Sequence, residues 1–449
     1  MSIFGAMITA VSGLRAQSFA MENISDNIAN SQTTGYKRVD SSFEDLVPDY
    51  PLRVQQGGSV VAFSRGTNTL AGNITTTGVG TNVALGGEGF FVVRERTSFA
   101  GATPTFSAGN LYTRRGDFEL DKNGYLVNGA GNYLVGYTVD PVTDAVTGGA
   151  PDVMRFTKDL IPANATTSIE YRANIPASPI TAATTTTAGS ELIGASGGAT
   201  VSATNEQSFL DHTISGGSVT LYDSLGNPVT AQLRWGKVSN AAAGPPATND
   251  TWNLYYMSNS AATGATTKWT NAGSTFTFDS AGQLTTAIPV SINFTIDGTA
   301  LGAIGFNPGT GGLTQFADVS GQYNPTSIRQ DGYSAGVLQD LKISDSGRIQ
   351  AVYSNGQTQP VAQIAVAQFN AANMLKRGDG STFTETLESG SPLISPSGGA
   401  FLSASVEGSN TDIAEEFSKM IITQQAYSAN TRVVTTAQQM LQDAINIIR

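Results

Sequence analysis

The sequence predicts a mainly β protein with two nested β-rich domains, the second inserted into the first, and N- and C-terminal α-helices that form a coiled-coil-like inner domain. Three observations predict it. Apolar residues repeat at seven near both ends of the chain, the period of a helical seam. Between the ends the period falls to two, in short runs broken by Gly-containing turns. Midway, a Thr/Ala/Gly/Ser-rich stretch at 177–205, with Pro176 just before it and Pro179 at its start, reads as a crossover into a second β-module. The layout begins with an N-terminal helix (1–32) and a linker (33–72). The first β-domain follows in two segments, 73–172 and 322–407, with the inserted β-domain (173–321) between them. A C-terminal helix (408–449) closes the chain.

The C-terminal helix is the most regular element. Ile413, Met420, Tyr427, Val434, Leu441 and Ile448 fall at strict seven-residue spacing. Phe417 and Ile445 sit on the interleaved track, with Gln424, Thr431 and Gln438 between them. Asn410, Thr411 and Asp412 are N-cap residue types, and Glu415 stands three after Asp412, as in a capping box. At the other end Met7, Leu14, Met21 and Ile28 repeat at the same period, with Ile3, Val11 and Ile24 nearby. Neither helix buries its stripe alone, and the simplest partner for each is the other.

Each contains a long stretch with almost no charge. Arg15 is the one charged residue between Met1 and Met21, and Arg432 the one between Met420 and Gln442. An ordinary solvated helix carries charge on its outer face. Here Gln424, Ser428, Thr435, Gln439, Gln442 and Asn446 share one polar but uncharged side. Two readings stand: a hairpin packed on the protein's own body, or a helix packed among copies of itself with its neutral face lining something.

Composition agrees with a β-rich body of neutral surfaces. Of 449 residues, 50 are Gly and only 13% are charged, against about a quarter in ordinary domains. A net charge of −11 argues against nucleic-acid and anionic-membrane partners, both of which want a basic patch. With no cysteine, disulfides, thiolate metal sites and cysteine nucleophiles are excluded. The first residues lack the basic n-region of a secretory signal. No run reaches the ~18 apolar residues of a membrane span.

Beyond Ile28, Asn30 and Gly35 are helix-stop types, and Tyr36-Lys37-Arg38 reads more naturally as a solvated turn than as a contact patch. The segment from Val39 to Gly72, with Pro48, Pro51 and Gly57-Gly58, shows no long period and reads as an extended linker. Then Val83, Leu85, Phe90–Val93, Leu111–Thr113 and Tyr133–Tyr137 read as strands. One turn device, a short polar residue closed by Gly three positions later, recurs at Asp121–Gly124, Asp223–Gly226, Asp279–Gly282 and Ser344–Gly347. The first of these faintly resembles a calcium loop but lacks the later acidic ligands. The inserted module carries Trp235, Trp252 and Trp269, and Val361–Phe369 is a further strand.

No chemistry stands out. Gly-x-Ser-x-Gly occurs around Ser196 and Ser334, but a nucleophile elbow needs a following helix and a later His. The single His, His212, lies just past the first match and before the second. One His without Cys supplies no usual transition-metal site, and Gly86-Gly87-Glu88-Gly89 precedes a strand, not the helix of a phosphate loop. No catalytic residue, cofactor or metal is expected.

Ala29-Asn30-Ser31-Gln32-Thr33-Thr34-Gly35-Tyr36-Lys37-Arg38 is similar to the signature of flagellar rod and hook proteins. Gln424–Thr431 with Met440-Leu441 resembles their C-terminal signature, and Gly87–Val92 and Tyr112–Phe118 their shared core. The long insertion, with Tyr222–Asn227, looks like that of the hook members. The resemblance implies a structural subunit, not an enzyme, of a hollow, curved, flexible tube that transmits motor torque and whose inner wall is built from both terminal helices. It further implies extracellular location, export by the flagellar type III apparatus without a cleaved signal, and no membrane insertion. The implied partners are other copies of the chain, rod proteins, hook cap and hook–filament junction proteins, and the export apparatus. On this reading Met7, Val11, Leu14, Met21, Ile28, Ile413, Phe417, Met420, Tyr427, Val434, Leu441, Ile445 and Ile448 pack between subunits. The neutral stripe from Gln424 to Asn446 would face the lumen. The alternatives are a distal rod or junction protein of the same family, a β-rich surface adhesin, and a hydrolase built on Ser334.

Overall fold

The computed structural model describes residues 3–46, 59–100, 103–141, 143–157, 160–242, 248–396 and 398–447. The chain divides into two compact units. Unit 1 comprises Met1–Lys158, Gln339–Val352 and Thr358–Arg449, and unit 2 comprises Asp159–Leu338 and Tyr353–Gln357. The insertion is therefore wider than 173–321. The reason is strand pairing: Ser168–Asn174 and Asn324–Gln330, which lie across the expected borders, form one antiparallel ladder from Ile169↔Gln330 to Asn174↔Asn324.

Unit 2 holds two five-stranded sheets. One runs Thr200–Ser202, Thr267–Phe278, Asp250–Met257, Pro228–Ser239, Thr213–Tyr222. The other centres on Ser168–Asn174, which pairs in parallel with Thr299–Asn307 and Leu313–Thr314. Alternation is clean where one face is covered: in Val290–Ile296, Val290, Ile292, Phe294 and Ile296 are buried and the residues between them exposed. Their core includes Tyr171, Trp235, Trp252, Phe276, Phe294 and Phe306. The crossover of 177–205 contributes Ile193 and Val201 to a smaller core with Phe209, Tyr255 and Trp269. A helix, Glu206–Asp211, ends at His212, whose Nδ1 lies 2.8 Å from Ser208 O.

Inside the larger core, Trp235 Nε1 donates to Tyr171 Oη at 2.8 Å, and Tyr171 Oη donates to Gly216 O at 2.8 Å. Tyr171→Phe removes an acceptor and a donor together. It is expected to cost unit 2 about 2 kcal/mol, because a buried polar group left unmatched loses its hydration without return. Urea denaturation followed by Trp fluorescence measures this, and an unchanged midpoint would contradict it.

In unit 1 the central sheet runs Arg348–Tyr353, Thr358–Ile364, Tyr133–Thr138, Phe90–Arg94, Leu111–Thr113, Thr382–Thr384, Lys376–Gly378. Phe90, Val92, Tyr112, Val135, Ala365 and Phe383 fill its core. The single strand expected at Val361–Phe369 is two, Thr358–Ile364 and Val366–Gln368, which pair with different neighbours.

All four turns form as their residues require. Asp121 Oδ1 accepts the amides of Asn123 and Tyr125, and Gly124 takes φ 87°. Asp223 and Asp279 repeat this, with Gly226 and Gly282 also at positive φ, and the Ser344 hydroxyl takes the Arg348 amide. The carboxylate that suggested a calcium ligand is engaged by backbone N–H groups.

The linker reading of 33–72 is corrected. Val39–Leu46 (β1) and Ser59–Gly66 (β2) form an antiparallel hairpin in unbroken register from Val39↔Gly66 to Leu46↔Ser59. The residues between, with Pro48, Pro51 and Gly57-Gly58, lie outside the described set. The hairpin lacks an apolar alternation of its own because it is held by packing on a helix, Ile3–Ala29 (α1): Asn23 Nδ2 donates to Ser41 Oγ at 2.9 Å and the Val60 amide to Ser12 Oγ at 3.2 Å.

Candidate assembly interface

Labelling Glu206–Asp211 α2 and the C-terminal helix, Ile413–Ile447, α3, α1 and α3 pack on each other. At one end Asn27 Nδ2 donates to Glu416 Oε2 at 3.0 Å. Two heptads along each helix, a Cβ placed on Gly13 would lie 2.9 Å from Asn430 Nδ2. The helices are thus antiparallel and close. Apart from Ile24, what they bury is small or polar: Ala10, Gly13, Ala16, Ala20 and Asn27 on α1, and Glu416, Thr423 and Ala437 on α3. The buried track on α3 runs one residue earlier than the Phe417–Gln424–Thr431–Gln438–Ile445 track read from the sequence. Close approach of two backbones selects small side chains for the seam and moves large ones to its edges.

The large side chains sit accordingly. Met7, Leu14, Met21 and Ile28, with Met420, Val434 and Leu441, are half-buried. Val11, Ile413 and Tyr427 are exposed, Phe417 is 50% exposed and Ile445 57%. Ile448 lies outside the described residues. Phe4, Ile8, Ile421, Ile422, Val433 and Met440 add further exposed apolar surface. On the 3.6-residue wheel Ile422, Val433 and Met440 fall on one flank of the seam, and Ile413, Tyr427 and Ile445 on the other. A groove between α1 and β2 is lined by Met7, Ile8, Val11, Phe19 and Val60, with Arg15 at its side. Gln424, Ser428, Thr435, Gln439, Gln442 and Asn446 are all exposed. Thr435 turns its hydroxyl back to Arg432 O at 2.9 Å.

The base of the pair is polar and tightly knit. Asn27 Oδ1 accepts the Val39 amide at 2.9 Å and the Tyr36 hydroxyl at 3.2 Å, while Nδ2 also donates to Val39 O. Glu416, buried, receives Lys419 Nζ at 2.8 Å. Arg38 Nη1 donates to Glu415 Oε2 at 2.8 Å. Burial opposes the charge of Arg38, but that hydrogen bond and the fields of Asp40, Glu415 and Glu416 outweigh it and hold the guanidinium above its ordinary range. Asp412 caps α3 through the Ala414 amide at 2.8 Å and the Glu415 amide at 3.2 Å. The capping box is only half formed, because Arg38 and Lys419 draw the Glu415 carboxylate outward.

The segment around Gly35 is not a solvated turn. Asn30 Nδ2 donates to Asp26 O and Asn30 Oδ1 accepts the Thr33 hydroxyl, ending α1 beyond Ala29. Gly35 adopts φ 68° and its amide donates to Glu407 O at 2.8 Å. Tyr36 is buried under the Arg377 guanidinium, 4.5 Å from the ring centre. Lys37 is 1% exposed and salt-bridged to Glu407, which also pairs with Arg114. Sequence patterning does not single out Asn27, Arg114, Glu407 or Glu416.

Ser196 Oγ is 2.9 Å from Ser208 Oγ, and Ser334 O accepts Asn355 Nδ2, so neither serine is set in a strand–helix elbow. Among the described residues no group of acidic, His or Cys side chains is arranged to hold a metal, and no helix is long and apolar enough to cross a membrane.

Three family descriptions match: "Flagella basal body rod protein" over 7–37, "Flagellar basal body protein FlaE D2 domain" over 198–333, and "Flagellar basal body rod FlgEFG protein C-terminal" over 402–447. The chain is 30% identical over 464 residues to the flagellar hook protein FlgE of Escherichia coli K12, covering 98% of this chain and all of that one. It is 29% identical over 459 residues to that of Brucella suis, covering both chains in full. The crystal structure of Helicobacter pylori flagellar hook protein FlgE2 aligns with 74% of this chain and 99% of its own, at 16% identity and a TM-score of 0.48. The matched regions fall on α1 with its signature, on the inserted module and on α3, and the E. coli relative aligns along its whole length: the chain belongs to the flagellar hook protein family.

Proposed function

We propose that this hook subunit, a structural protein and not an enzyme, polymerises through its helical pair into a hollow tube of identical chains. The tube is a curved, flexible joint that passes torque from rod to filament and encloses an export channel. One observation carries the reading: the two helices spend small residues on each other and leave large apolar ones, among them Phe417, Ile421, Ile422 and Tyr427, uncovered on more than one side of α3. Exposed apolar area of that extent marks an association surface. Apolar residues on both flanks of one helix suit contact with two neighbours at once, as a closed wall requires. The groove between α1 and β2 suits an apolar helix flank of a neighbouring copy. Electron microscopy of purified chain under polymerising conditions tests the reading, and the outcome against it is an assembly with both helices on its outer surface.

The exposed neutral stripe from Gln424 to Asn446 supports a lumen-facing role. An uncharged, hydrated wall neither attracts nor repels chains in transit, whatever their charge. Exchanging Gln439 and Gln442 for Lys is expected to leave tube assembly intact and to slow secretion of later components. Unchanged secretion from cells carrying assembled variant hooks would count against it. The same reading makes rod, cap and junction proteins the neighbours at the tube's ends, and makes the type III apparatus the route out.

A further inference from the structure

We propose that Lys37, Arg114 and Glu407 form a buried ionic latch at the base of the helical pair, one that closes only when both ends of the chain have come together. The proposal rests on the reading that the helical pair is the assembling element.

The three side chains are almost wholly buried, at 0%, 3% and 0% exposed. Lys37 Nζ donates to Glu407 Oε1 and, at 2.6 Å, to Leu70 O. Arg114 Nη1 donates to Glu407 Oε2 at 3.3 Å and to Leu85 O at 3.2 Å, and Nη2 to Gly87 O at 2.6 Å. Glu407 Oε1 also accepts the Gly72 amide at 2.8 Å. Arg114 Nε has no protein partner. The exposed Glu88 acts on Arg114 by charge alone.

One buried carboxylate therefore serves two buried cations. Around it the segments that lead into and out of the helices are sewn together: Gly35 to Glu407, Gly408 to Asn73, and Asn410 to Tyr36. Without Glu407 the two cations would face each other with no anion, and an unpaired buried charge is far costlier than a solvated one. The segments would stay open and hydrated instead.

Position along the chain turns this into a condition. Glu407 stands 370 residues from Lys37 and 293 from Arg114. Whichever end leaves a narrow channel first, the latch stays open until the stretch between has followed. A partly delivered chain thus lacks the fixed helix base that docking needs.

The test uses full-length protein, hydrogen exchange on the free chain, and growth on preformed tube fragments. Glu407→Gln keeps shape and removes the anion. It is expected to speed exchange across 33–40, 66–74 and 405–412 by about a hundredfold, to leave unit 2 protection unchanged, and to cut growth on seeds. Lys37→Met leaves Arg114 and Glu407 a balanced pair, and should change exchange by no more than about twofold. Adding Lys37→Met to Glu407→Gln removes one of two orphaned cations, so the double variant should be better protected than Glu407→Gln alone. A packing role predicts the reverse, with the double variant worse than either single, and that result overturns the latch, as does wild-type exchange in Glu407→Gln. If the exchange pattern holds but wild-type chain fails to grow on seeds, the latch stands and the assembly reading falls.

Discussion

Replacing Phe417, Ile421 and Tyr427 together by Ser is expected to abolish tube formation at concentrations where the wild type polymerises, while the free chain still folds with a lowered melting temperature. The three side chains are 50%, 55% and 41% exposed in the single chain, so about half of their surface is left for assembly to cover. Serine ranks with Ile, Tyr and Phe in intrinsic helix propensity, so α3 is not weakened locally. In a tube their remaining area would be buried, which is worth about 1 kcal/mol each. A loss of about 3 kcal/mol per subunit raises the concentration needed for growth by about two orders of magnitude. Sedimentation across a concentration series reads that threshold, and thermal melting reads the monomer. Tubes at the wild-type threshold would remove α3 from the interface. A lowered melting temperature with an unchanged threshold would make these residues part of the monomer's own packing.

Gly35→Ala is expected to destabilise unit 1 by about 3 kcal/mol. The left-handed backbone costs a Cβ-bearing residue about 1–2 kcal/mol, and overpacking adds about 1–3. Both apply at this position: φ is 68°, and the new Cβ would stand 2.6 Å from the Arg115 amide nitrogen and 2.8 Å from its Cα. Those are backbone atoms, so no side chain swings aside to relieve the contact. Gly78 separates the two effects. It has φ 76° with nothing within 4 Å of a Cβ, so Gly78→Ala carries only the backbone cost, about 1 kcal/mol. Equal denaturation midpoints for the two variants would show that the approach of Arg115 is not what demands glycine. Because the Gly35 amide also binds Glu407 O, the substitution should loosen the same base that the latch holds.

The elements legible in the sequence are those governed by neighbours along the chain. Seven-residue spacing locates both helices because a helix face is a local property. The four Gly-closed turns are legible because one short polar residue and one positive-φ Gly suffice to make them. Val290–Ile296 shows why strands are legible too, since a sheet with one covered face alternates. The hairpin β1–β2 reads as linker because its partner is a helix, and its facing residues include Ser41 and Ser64 in place of an apolar alternation. The edges of the insertion escape the sequence because Ser168–Asn174 finds Asn324–Gln330 across about 150 residues, which no local pattern records.

For the candidate interface the division is sharper. The sequence by itself determined that two helices with long uncharged stretches lie at the two ends, that each needs a partner, and that one side of α3 is neutral. Only the tertiary structure decided which residues those helices use on each other. Periodicity measures apolarity, whereas an antiparallel pair in close contact selects for size, so Ala10, Gly13 and Ala437 took the seam and Phe417 and Tyr427 were left outside. It also decided that Lys37 is interior. A charge is buried only where an opposite charge is brought to it, and the carboxylate that meets Lys37 comes from the far end of the chain.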